Sequence, residues 1–466
     1  MSMNVFGFGF SPSIALLIVV SGVILLKSWN YILTLFKPAL ILAPGVPVMG
    51  KPDDTSFEDA VREGDRLASG PSYPDCVYQI ALPSMPHVFY PPKAMRELFT
   101  SKSATFPAHT SDILLGKYTY QGEENMELKA GIRAMSNNLD VVIKSFEADV
   151  AYAFETVFGS CDEWTTVDQI WPATFRIASI MSSRPFLGRE LSRDPEWFTA
   201  MTEYSHLDRY FATGKDFKSR RTAAIHSDGG ELLDWMIPEY SNPIPKKLAR
   251  DEVTIILESV MNISGGIGHL LFNIAKYSEY QEPLREEYEE VMHEFGGLNK
   301  AAVFKMKKMD SFMKETQRLN PPSMMAIMRK VVDPNGMKLS VGPRIPCGTL
   351  CAVSADRANM SPEFFSEPTK FDGYRFYRMR QAPGEEFWHQ LTSTSDSEIN
   401  FSLGGRACPG RIFLSALEKT FLAHLLTHYD VRVKPGHENE ESRYIDGIRV
   451  VINPKAIIQL RRKKNA

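Results

Sequence analysis

At 466 residues, 44% of them hydrophobic, the chain is long enough to bury a sizeable core and has the composition of a globular protein. A formal net charge of -3 gives no footprint for a nucleic-acid partner. The five cysteines, Cys76, Cys161, Cys347, Cys351 and Cys408, contain no CxxC pair and no disulfide-like framework, and the Cys347 and Cys351 spacing lacks the companions of a zinc site.

Residues 1–26 carry no charge, and 14–26 form an apolar centre. With the lead-in from Phe6 to Phe10 this approaches the ~20 residues that span a bilayer. No basic segment or small-residue cleavage site marks a signal peptide, so 1–30 reads as an uncleaved transmembrane anchor. Lys27 and Lys37 follow the span and nothing basic precedes it, which places the body in the cytosol. Pro38, Pro44, Pro47 and Pro52 stiffen a connector over 31–52, and 53–466 is expected to be one body.

Within the body, 73–90 is strand-like, with Val77, Tyr78, Ile80 and Leu82 followed by Val88, Phe89 and Tyr90. Pro91 and Pro92 end it, and 94–100 reads as a short helix. The stretch 101–125, with Tyr118 and Tyr120, has no regular pattern. Helical periodicity over 126–159 breaks near Asn137 and Asn138, and Lys129 and Arg133 share one helical face, either as an anion clamp or as solvated cations. Residues 163–240 are mostly helical with polar breaks.

The apolar run 251–277 has no proline and predicts a long helix. Glu258, Ser259, Asn262, Gly265, Gly266 and His269 form its polar and small stripe. Two adjacent glycines in a helix cost about 1 kcal/mol each relative to alanine, so they signal either tight packing or a local opening. His269 reads as a satisfied core histidine. Glu315 and Arg318 are i, i+3 neighbours on a later helix. Short strands are expected over 328–333 and 345–349, and Lys330 must face away from Arg329.

The loop Phe401-Ser402-Leu403-Gly404-Gly405-Arg406-Ala407-Cys408-Pro409-Gly410 presents one cysteine before an apolar helical segment. Gly404 and Gly405 permit close backbone approach to a flat ligand, Gly410 permits tight packing at the helix start, and Pro409 suits a first turn. Backbone N–H groups at a helix start favour the thiolate form of Cys408. A single axial thiolate on heme iron fits this better than a multidentate metal site, against the plainer reading of a buried structural cysteine.

The pattern Phe401-x-x-Gly404-x-Arg406-x-Cys408-x-Gly410 resembles the heme-binding signature of the cytochrome P-450 superfamily. The resemblance implies a mainly α fold with a small β region around one heme b, with Cys408 as axial ligand and Phe401 beside it. It implies propionate contacts from Arg406 and Arg329, and from Arg133, whose family partner tryptophan is here Lys129. Phe371-Asp372-Gly373-Tyr374-Arg375-Phe376 resembles the family segment whose arginine closes a buried network, here Glu315, Arg318 and Arg375. The texture of the middle looks most like the fungal ent-kaurene-oxidase-like group, which acts on terpenoids and other secondary metabolites. A monooxygenase of this kind takes an apolar small molecule and electrons from an NADPH-dependent flavoprotein reductase, and is tethered to the endoplasmic reticulum membrane.

Two places depart from the family. The region around 205–217, where the pocket roof belongs, is short. In the long helix the acid–alcohol pair is replaced by Met261 and Asn262. Proton delivery is then expected from Glu258 acting with Ser259 or Asn262; alternatives are a non-oxygenating heme-thiolate isomerase or dehydratase, and an inactive heme-binding relative.

Overall fold

The computed structural model describes residues 42–464 except 51–54, 71–75, 83–85, 114–124 and 206–230, together with a hairpin of strands Met3–Val5 and Phe8–Phe10. The apolar centre of the expected anchor, the first part of the connector, Tyr118, Tyr120 and the short segment after Ser205 lie outside the described residues. Phe8–Phe10 is strand and not the start of a helix, since phenylalanine alternating with glycine has the two-residue period of a strand.

The body is mainly helical. Helix α1 (Phe57–Ser69) is capped by Ser56, whose hydroxyl accepts from the Asp59 N–H at 3.1 Å. It packs on the sheet through Gly64, where a Cβ would lie 2.2 Å from the Tyr78 ring. A short helix α2 (Phe106–Ile113) occupies part of the stretch that shows no sequence pattern; Pro107 in its first turn hides it, because proline there reads as a breaker yet is tolerated. The long periodic segment splits into α3 (Met126–Asn137) and α4 (Leu139–Phe158) at Asn138, whose φ and ψ are -96° and 38°.

Helix α5 (Ile170–Ser192) packs along the central helix α6 (Pro245–Lys276). Helix α6 begins six residues before the expected 251, for the same reason that α2 was hidden: Pro245 sits in its first turn. Most of its 247–276 portion is buried, so although it is long and apolar enough to cross a membrane, it is a core helix. Helices α7 (Lys307–Leu319) and α9 (Arg411–His428) pack against it, and a short α8 (Arg375–Met379) lies on α7.

A six-stranded mixed sheet flanks the helices. Its strands are β1 (Val48–Met49), β2 (Tyr78–Ile80), β3 (His87–Tyr90), β4 (Ala104–Thr105), β5 (Met325–Val331) and β6 (Leu350–Ser354), in the order β1-β2-β3-β6-β5-β4. The strand expected over 345–349 is a turn: Ile345 makes one bridge to Met337, Pro346 has no N–H to donate, and Gly348 turns at φ +87° before β6 starts. A hairpin of β7 (Arg443–Asp446) and β8 (Arg449–Ile452) lies against α6.

Candidate active site

The loop before α9 is shaped by two left-handed residues, Ser402 at φ +64° and Gly404 at φ +52°. It closes with the Cys408 N–H donating to the Phe401 carbonyl at 2.8 Å, and the Arg411 guanidinium donates to the Cys408 carbonyl at 2.8 Å. Helix α9 starts at Arg411 with Gly410 as its N-cap, so Pro409 lies outside the first turn. A Cβ on Gly410 would sit 3.9 Å from the Cys408 sulfur, an ordinary contact, so Gly410 is not there for tight packing.

Burial pushes the Cys408 thiol up from its ordinary value. The N–H groups of Gly410 and Arg411 and the Arg411 charge pull it back, while the Glu258 carboxylate opposes them. The helix start therefore favours the sulfur anion, and desolvation and the Glu258 carboxylate work against it, although the residue itself is exposed. All five cysteines are free, and Cys408 alone of them lines the two cavities described next.

Those cavities, of about 560 and about 370 Å³, meet at Cys408, Phe401 and Asn262. The outer one is walled by α2, α3, β5 and the first half of α6. The inner one lies among the second half of α6, α7, α9 and β8. Along α6, Glu258 and Asn262 face the outer cavity, and Asn262, Gly265, Gly266 and His269 face the inner one. Ser259, next along the chain from Glu258, lines neither, because one residue is 100° of helical turn. Met261 lines the inner cavity. The Asn262 side-chain amide donates to the Glu258 carbonyl at 2.8 Å.

Desolvation raises the Glu258 carboxyl above its ordinary value although the residue is exposed into the cavity, and no charged partner among the described residues counters it. His269 is buried, and burial lowers its imidazole to about 4. It is not the satisfied core histidine expected: the backbone of Ser442 and Val450 lies near, yet neither ring nitrogen has a well-formed hydrogen bond among the described residues. Of the paired glycines, Gly266 is needed for close approach. A Cβ there would lie 2.1 Å from a carboxylate oxygen of Glu418, whereas one on Gly265 would only touch Trp171 at 3.8 Å.

Among the cations that line the outer cavity, Arg329 stands on strand β5 and Arg406 on the Cys408 loop. Arg329 is 2% exposed, its guanidinium lies 5.0 Å from the Phe99 ring centroid, and its Nη1 donates to the Met328 carbonyl at 2.7 Å, while its Nε has no partner among the described residues. Burial first, and then the Arg406 charge, lower Arg329 to about 10. Arg406 is exposed and lines the cavity. Arg329 is aimed by a bulge in β5, where the register shifts between Ala326 and Arg329 and Ile327 adopts φ +50°, a rare conformation for a β-branched residue. Lys330 faces away and pairs with Asp112 at 2.6 Å.

A buried guanidinium with an unpartnered N–H beside a second cation fits an anionic ligand edge, as the carboxylates of a heme would supply. Lys129 also lines the outer cavity; Arg133, one turn further along α3, is exposed and does not.

Glu315 and Arg318 of α7 meet Arg375 of α8 in a buried cluster. Arg318 donates to both Glu315 oxygens at 2.8 Å, and Arg375 Nε lies 3.1 and 3.2 Å from them. The remaining guanidinium N–H groups reach the carbonyls of Asn359, Pro368, Ser366 and Lys370. The cluster is thus fully hydrogen-bonded as well as charge-paired.

A family model described as Cytochrome P450 matches residues 241–459. Cytochrome P450 monooxygenase ataF of Aspergillus terreus is 34% identical over 428 residues, covering 84% of this chain and 87% of the relative. The monooxygenase gliF of Aspergillus fumigatus is 30% identical over 490 residues, covering 93% and 95%. Among solved structures, the retinoic acid-bound cyanobacterial CYP120A1 superposes with a TM-score of 0.69 at 18% identity, covering 91% of this chain and 100% of that one, a likeness of fold.

Proposed function

Because the chain belongs to the cytochrome P450 family, which binds heme b through an axial thiolate, we propose that Cys408 is that ligand and that the substrate is an apolar secondary metabolite, such as a terpenoid. The protein is a monooxygenase, an oxidoreductase. The observation that carries the assignment of the ligand is Cys408 at the junction of two cavities, with backbone N–H groups favouring its anion. When bound, the heme supplies the dioxygen chemistry.

Arg329 and Arg406 hold the propionates, Phe401 covers the thiolate side, and the Glu315 network keeps the loop in place. Lys129 is better sited than Arg133 to add a third cation. Glu258 faces the outer cavity one turn before Asn262, where desolvation favours its neutral form. Residues 1–30 tether the body to the endoplasmic reticulum membrane, beside a flavoprotein reductase that draws on NADPH.

The test is incubation of the membrane-bound holoenzyme with reductase, NADPH, isotopically labelled dioxygen and a fungal metabolite extract. One metabolite is expected to gain a single labelled oxygen, only when reductase and NADPH are both present. Product formed anaerobically without reductant would instead support the isomerase or dehydratase reading. Asn262→Ala is expected to lower the fraction of NADPH electrons recovered in product and to raise hydrogen peroxide in proportion; an unchanged ratio removes Asn262 from the reaction.

A further inference from the structure

Helix α9 carries a buried carboxyl, Glu418, roughly two to three turns beyond Cys408. Glu418 is 5% exposed and lines the inner cavity shared with Cys408 and Asn262. No hydrogen bond or ion pair to it is found among the described residues. Its neighbour Lys419, about 100° further round the helix, pairs instead with Asp310 at 2.6 Å. An unpartnered buried carboxylate is costly, and such a group stays neutral.

The place where this carboxyl ends is specific. One of its oxygens lies 2.1 Å from where a Cβ on Gly266 would be, so α6 admits it only because residue 266 has no side chain. Gly266 is four residues, one helical turn, beyond Asn262, and Glu258 is one turn before it. Asn262 therefore has a carboxyl group one turn away on either side, one from its own helix and one from α9.

We propose that Glu418 is a proton-holding group of the reaction, supplying from a neighbouring helix the acid that α6 lacks at Met261. The inference rests on the monooxygenase reading, in which oxygenation consumes protons and reductase electrons and releases one oxygen atom as water. In the step assigned to Glu418 its O–H bond breaks, the proton ends in that water, and the carboxylate regains a proton from solvent. The electrons come from NADPH.

Burial alone raises Glu418 to about 8, so it is mostly protonated at pH 7. The titratable and charged groups facing the same chamber are His269 from α6, Arg449 from β8 and Cys408 from the loop. His269 is neutral at that pH, with its imidazole lowered to about 4.

The experiment uses the holoenzyme with its reductase, comparing the parent with Glu418→Gln and Glu418→Asp. Two readouts are taken from pH 5 to 9: the melting temperature, and the rate of NADPH oxidation under dioxygen in the presence of the metabolite extract, normalised to the reductase rate on cytochrome c. In the parent, the folded state holds a proton that the unfolded state releases near the ordinary carboxyl value. Stability therefore falls as pH rises between that value and about 8, then levels off. Glu418→Gln removes this slope and lowers NADPH oxidation about 10²-fold at pH 7; Glu418→Asp restores part of both.

A Glu418→Gln protein with the parent's stability slope, or with its rate and pH profile, overturns the proposal. So does a changed slope with an unchanged rate, which would leave the carboxyl structural and the monooxygenase reading intact. If neither parent nor variant oxidises NADPH, the monooxygenase reading falls and this one with it. Should Glu418→Gln fail to take up heme, Gly266→Ala, which displaces the carboxyl by its Cβ, is measured against the same criteria.

Discussion

Replacing Cys408 by alanine is expected to remove the red-shifted Soret band of the reduced carbon monoxide form and to reduce NADPH-driven oxygenation to background. The substitution spares the loop, since the contact that closes it is made by the Cys408 backbone N–H to the Phe401 carbonyl. Folding, followed by far-ultraviolet circular dichroism, is therefore expected to survive. No other cysteine, Cys76 included, lines either cavity. Cys351 is fully buried and burial pushes its thiol far above the ordinary value, Cys161 is buried against the Phe158 carbonyl, and Cys347 lies at the β6 turn near the Val331 carbonyl. A variant that kept the shifted band would mean that the axial ligand is another residue.

Glu315→Ala is expected to be the most damaging change away from the heme. Glu315 is fully buried and is the single anion between Arg318 and Arg375, which are themselves 2% and 8% exposed. Removing it leaves two buried guanidinium groups without a counter-charge, a loss of about 3–5 kcal/mol. Against the roughly 5–15 kcal/mol that holds a domain together, this is expected to lower the thermal midpoint sharply and to release heme early in the transition. Glu282→Ala supplies the control: it breaks an i, i+3 pair with Arg285 in which Glu282 is mostly exposed, and is expected to cost less than about 1 kcal/mol. Equal effects from the two variants would show that the buried cluster does not hold the loop.

What could be read from the chain follows from how local each feature is. The approach of backbone N–H groups to the Cys408 sulfur depends on residues 401–411 alone, and the glycines and the cysteine carry it. Glu315 and Arg318 are one helical turn apart, so their pairing also follows from spacing. Arg133 shows the limit of such reasoning: it shares a face with Lys129 but lies about 6 Å further along α3, and height along the helix decides which of them reaches the cavity. Between the two, at Gly131, a Cβ would lie 2.8 Å from the Met236 side chain, so α3 seats closely on a segment far away in sequence.

Glu418 was missed because its meaning depends on Gly266, a residue of another helix. The one local signal was an adjacent Glu418 and Lys419 inside an apolar run. The bulge at Ile327 left no signal at all, since a β-branched residue is a poor candidate for positive φ. The pattern across these cases is that features set by contacts within one turn or loop are legible, and those set by crossings of distant elements are not.

The pair of cations at Arg329 and Arg406 bears on how the protein is made and kept. Arg329 is a buried guanidinium whose Nε has no acceptor among the described residues and whose charge is opposed by that of Arg406. An anionic ligand that relieves this binds the folded chain and not the unfolded one, so its free concentration enters the folding equilibrium directly. If Arg329 and Arg406 hold the heme carboxylates as proposed, lowering the supply of heme is expected to lower the stability of the folded chain and, through proteolysis of the unfolded one, its abundance.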